Sequence, residues 1–152
     1  MTPFENYFHA IMRQGEHEAR QDHSATLEAH HLLLAIAAHE GTPAHRLLAE
    51  VGLDRRGVRE ALDREFEHSL NAVGISAADY HLPPSAGSPK SPALGASAKL
   101  ALERGFTAVR TKDLDSTSVL AGILRAQAGT VPRALALAGV DREALLSRLQ
   151  PA

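Results

Sequence analysis

The sequence predicts an all-α fold, a tandem pseudo-twofold repeat of two four-helix units with no β-sheet. Three observations carry this. The stretch from His30 to Leu62 returns in altered form from Ser118 to Leu149; its apolar residues recur at helical rather than alternating intervals; and glycine and capping residues punctuate both copies at matching places. Leu32 falls on Leu120 and Ile36 on Leu124, each 88 residues on, while Gly52 falls on Gly139 and Asp54 on Asp141, each 87 on. One deleted residue reconciles the two spacings. The repeat divides the 152 residues into a first unit, 1–70, a Pro/Ser/Gly linker, 71–92, and a second unit, 93–152, which share one core.

Each element has its own signal. Phe4, Phe8, Ile11, Met12, Gly15 and Ala19 recur at intervals of three and four and describe a first helix with one face on the core. Asp22 to Thr26 is its polar exit. Leu32, Leu33, Ile36 and Ala37 form the next apolar stripe, ended by Gly41 where a left-handed cap is needed. Thr42 and Pro43 open the third helix: Thr accepts an orphan amide hydrogen bond, and Pro in the first turn loses none. Leu47, Leu48 and Val51 are its buried stripe. Gly52, Leu53 and Asp54 then supply a stop, an apolar residue folded back on it and a new N-cap for a helix from Arg55 to about Leu70. Pro83, Pro84, Pro89 and Pro92, with Gly87 and three serines, mark the linker as extended. Ala98, Ala101, Leu102, Gly105 and Val109 open the second unit in helical register, Lys112 to Asp115 is its loop, and Gly139, Val140 and Asp141 repeat the turn of the first copy.

Composition limits the chemistry. Apolar residues make up 44%, enough for a core, but with no tryptophan and 4% aromatics that core rests on Ala, Leu, Val and Ile. The absence of cysteine removes disulfides, thiolate metal sites and a Cys nucleophile, and fits a reducing compartment. The N-terminus carries neither a signal-peptide pattern nor a membrane-length apolar run, so a cytoplasmic location is expected. Charge is uneven: residues 1–70 hold 7 basic and 12 acidic side chains, and residues 93–152 hold 8 and 5. A general nucleic-acid binder needs a net basic face, which the formal charge of -2 does not suggest.

The order Phe4, Glu18-Ala19-Arg20, Glu28-Ala29-His30-His31-Leu32-Leu33-Leu34, His39-Glu40-Gly41, Leu47-Leu48 and Val51-Gly52-Leu53-Asp54 resembles the Clp N-terminal domain. This is the tandem helical repeat at the front of Clp-type AAA+ unfoldases. The resemblance implies a non-catalytic module that docks adaptors, peptides and substrates, and in some members macrocyclic antibiotics. Within these 152 residues there is no phosphate loop ending in Gly-Lys-Ser or Gly-Lys-Thr, so the expectation is a freestanding N domain without the ATPase and without cofactors. The family writes Thr-Glu-His at the start of the third helix of each unit, and some members use that glutamate to hold phosphoarginine. By the resemblance, Ala29 stands at its place in the first unit, and Thr117 with Ser118 replaces Glu-His in the second. The family's groove helix, Phe-Thr-Pro-Arg-Ala-Lys and then Leu-Glu, corresponds to Leu94-Gly95-Ala96-Ser97-Ala98-Lys99 and Leu102-Glu103. The ligand groove is therefore expected between the first helices of the two units, lined by His9, Lys99, Leu102 and Glu103.

Other chemistries have weaker support. Nine histidines include His30, His31 and His39, but His31 and His39 lie about 12 Å apart along a helix, and there is no His-Glu-x-x-His motif, so no metal site is expected. No nucleophile elbow or spaced acidic pair points to an enzyme. The rival reading is a helix-turn-helix from Leu47 to Leu62 that presents Arg55, Arg56 and Arg59 to phosphates. Against it, the second copy keeps the turn and loses two of those arginines.

Overall fold

The computed structural model describes residues 2–74 and 92–149. Among these the chain forms α1 (Pro3–Gln21), α2 (Ala29–Ala38), α3 (Pro43–Glu50) and α4 (Arg55–Ala72), then α5 (Ala96–Thr107), α6 (Ser116–Leu124), α7 (Thr130–Leu137) and α8 (Arg142–Leu149). The fold is all-α, with one departure from the expectation of no sheet. Thr26–Leu27 (β1) and Ala93–Leu94 (β2) pair in parallel, Thr26 with Ala93 and Leu27 with Leu94. The pair pins the segment entering α5 to the segment entering α2. Its bonds, Ala93 N–H to the Ala25 carbonyl at 3.1 Å and Gly95 N–H to the Leu27 carbonyl at 2.8 Å, satisfy backbone groups that would otherwise be left in a half-buried seam.

The central helices α2 and α6 are buried along almost their whole length, from His31 to Ala37 and from Ser118 to Leu124, and one apolar cluster runs through both units. α5 and α6 approach so closely that a Cβ on Gly122 would lie 2.1 Å from the Ala101 carbonyl oxygen. The turn predicted at Gly52 is present: φ is +79°, the Leu53 amide bonds the Leu48 carbonyl at 2.8 Å, and Asp54 accepts from the Gly57 amide at 2.8 Å. Gly139 repeats it at φ +74°, and Asp141 accepts from the Ala144 amide. Thr42 caps α3 through the His45 amide at 3.1 Å.

The helix starts correct the expected slip in the repeat. Glu28 and Asp115 are the N-caps of α2 and α6, Thr42 and Gly129 those of α3 and α7, and Arg55 and Arg142 open α4 and α8, each pair 87 apart. His31 Nδ1 accepts from the Glu28 amide at 2.9 Å just as Ser118 Oγ accepts from the Asp115 amide at 3.1 Å. One spacing of 87 serves from α2 onward and no deletion is needed. Leu33, not Leu32, is the counterpart of Leu120, and His30, not Ala29, the counterpart of Thr117. Two helix ends also differ from expectation: α4 continues through Ala72, into the stretch read as linker, and α5 ends before Val109. The remaining linker, 75–91, lies outside the described residues.

Candidate functional site

Of the four residues expected to line a groove, three lie on α5 and one on α1, and their exposure differs. Leu102 packs into the core and is 8% exposed, because it lies on the face of α5 turned to α6. Lys99 and Glu103 lie one turn apart on the exposed side of α5, and His9 is exposed on α1 beside Phe8. Where α1 approaches α5 the space is filled: Phe106 meets Phe4 and Phe8 edge-on, with ring centroids 6.1 and 5.5 Å apart.

An open cleft of about 750 Å³ lies elsewhere, where the first turn of α2 faces α5 and the turn from α6 to α7. Helical spacing puts Ser97, Leu100, Ala101 and Arg104 in one stripe along its α5 wall. Ile123 and Val131 give it an apolar base, while Arg125 and Arg133 line it from the end of α6 and from α7. Glu28, Ala29 and His30 form its edge from the first unit. Ser97 joins the two sides: its hydroxyl accepts from the Ala29 amide at 2.8 Å and donates to Glu28 Oε1 at 2.7 Å. A Cβ at Gly95 would lie 2.2 Å from the Glu28 carboxylate and push it out of that seam.

The charges at the cleft are not equivalent. Burial pushes the Glu28 carboxyl up, but hydrogen bonds from Thr26 and Ser97 outweigh it and hold it below the usual range, so Glu28 stays ionised with both oxygens occupied. Burial, with help from His31, drops His30 to about 4, and its ring is neutral at physiological pH. Arg133 donates through Nε to Glu65, a buried carboxylate that also accepts from Ser69. Arg125 donates to the Arg104 carbonyl at 3.1 Å. The Arg104 guanidinium has no hydrogen bond or ion pair among the described residues.

Asp22, His30 and His31 bring three potential metal ligands within 4.8 Å of one another, a cluster that the sequence did not suggest. Their hydrogen bonds argue against an ion. His31 Nδ1 accepts from the Glu28 amide, so the ring proton sits on Nε2 and donates to Asp22 Oδ2 at 3.0 Å. A metal on His31 would have to break the start of α2, and Arg59 already holds the other Asp22 oxygen at 3.1 Å. Burial pushes Asp22 up, but the bonds from His31 and Arg59 outweigh it and leave the carboxyl below its ordinary range.

The arginines of the helix-turn-helix reading are committed in the same way. Arg55 grips the buried Glu18 through two bonds, 2.6 and 3.1 Å, and this raises its own pKa; Arg59 is held by Asp22 and Asp63. Only Arg56 projects, and it pairs with Glu60. α4 is packed against α2 and α7 and is not a free recognition helix.

The family model for the Clp repeat (R) N-terminal domain matches residues 4–114. The chain belongs to that family. No curated protein matches it. The matched region of this Clp N-terminal domain stops before α6, and in α6–α8 the relation rests on the repeated caps and turns described above. With the structural spacing, His30 rather than Ala29 pairs with Thr117 across the two units. Neither carries a carboxylate. The cleft residues Arg104, Arg125 and Arg133 were not singled out in the sequence, where the basic excess of residues 93–152 was their one trace.

Proposed function

We propose that this domain is a non-catalytic recognition module of a Clp unfoldase system, binding peptide segments, adaptors or peptide-like macrocycles in the cleft between its units. The supporting observation is that cleft: it joins an apolar base to polar walls from both units, the pattern of a binding site that needs no reacting group. Two roles suit such a module, an adaptor that brings cargo to the unfoldase and a decoy that holds ligands, antibiotics included, away from it. Lys99 and Glu103 lie on the neighbouring exposed face of α5 and belong, on this reading, to its rim. Capture from a lysate of the native cell separates the roles. Clp unfoldase subunits in the eluate indicate the adaptor, a bound small molecule without them indicates the decoy, and neither would contradict the proposal.

A further inference from the structure

The cleft has an unequal distribution of charge. Arg104 and Arg125 have no carboxylate partner among the described residues, and Arg133 engages Glu65 through Nε, which leaves its terminal nitrogens for another acceptor. Glu28, on the facing edge, has its oxygens taken by Thr26 and Ser97. A guanidinium offers planar forked donors matched to a carboxylate, and a cation with no acid partner among the described residues is a place for an external one. The volume of about 750 Å³ exceeds what a single small anion fills, and Leu100 on the wall is a large apolar residue left 48% exposed.

Resting on the recognition reading above, we propose that the cleft selects an acidic peptide segment. A ligand aspartate or glutamate is held by Arg104, and a neighbouring apolar side chain lies against Leu100, Ile123 and Val131. The domain thus presents arginines to carboxylates where the family resemblance implies carboxylates presented to a guanidinium.

The test is fluorescence anisotropy with a short labelled peptide in which aspartates flank a leucine, beside a second peptide with asparagine in place of each aspartate. The acidic peptide should bind saturably and the amide peptide about tenfold more weakly or worse, as expected when a charge-assisted bond is lost. Arg104→Ala should weaken the acidic peptide about tenfold without changing the melting temperature, Arg104→Lys should recover part of the loss, and Arg56→Ala, which removes an exposed charge on α4 outside the cleft, should leave binding as in wild type. Equal binding of both peptides, abolished by the cleft-filling Ala128→Trp, would overturn acidic selection while leaving the recognition module standing. Absence of saturable binding by the acidic peptide, or its displacement by duplex DNA or by millimolar phosphate, would also overturn it.

Discussion

Gly52 and His30 show how much single positions decide. At φ +79° a β-branched side chain is forced into the left-handed region although nothing crowds it, so Gly52→Val should cost about 1–2 kcal/mol, read as a lower denaturation midpoint at unchanged slope. His30 makes stability depend on pH. Its folded pKa of about 4 lies below the ordinary 6.5, so between these values the unfolded chain binds a proton that the native chain does not. Stability is therefore intact above pH 6.5 and falls as pH drops toward 4, by up to roughly 1.4 kcal/mol per pH unit for this group. Urea titrations at neutral and mildly acidic pH should show the loss, and His30→Gln should make it shallower. The glycine cap was legible in the sequence because a Gly-apolar-Asp turn is local chemistry. The state of His30 was not, because it follows from neighbours contributed by other parts of the fold.

At the scale of elements, the sequence revealed which stretches are helices but not how they meet. The runs around Leu32 and Leu120 are so uniformly apolar that a register of 87 or 88 sets Leu32 on a valine or on a leucine; the helix starts, and the paired bonds at Glu28–His31 and Asp115–Ser118, distinguish the two. Leu102 was misplaced for a related reason. Spacing on α5 shows that residues share a face, and only α6 decides which face is covered. Two predictions belong here. Gly122→Ala should cost about 2–3 kcal/mol or more, because the added methyl meets backbone, not a movable side chain. Arg55→Ala should cost about 2–3 kcal/mol by leaving Glu18 buried and unpaired, a value below that for fully buried pairs because Arg55 is 45% exposed. Thermal and chemical denaturation check both, and an unchanged midpoint in either would contradict the packing described.

Over the whole molecule, the two units share one core and meet through the β1–β2 pair, the Ser97 seam and the Glu65–Arg133 ion pair. Their junction leaves open the cleft on which the functional account depends. A ligand that binds only the folded domain at 100 times its dissociation constant should stabilise it by about 2.7 kcal/mol, so occupancy can be followed by melting. The most direct test compares capture from a native lysate by three forms of the domain: wild type, the cleft-filling Ala128→Trp, and the rim double variant Lys99→Ala with Glu103→Ala, each first confirmed to melt like wild type. The account predicts that Clp unfoldase subunits, or a tightly held small ligand, are recovered with wild type, are reduced at most modestly with the rim variant, and are lost with Ala128→Trp. Equal recovery with the filled cleft, or loss confined to the rim variant, would contradict it and return the site to the outer face of α5.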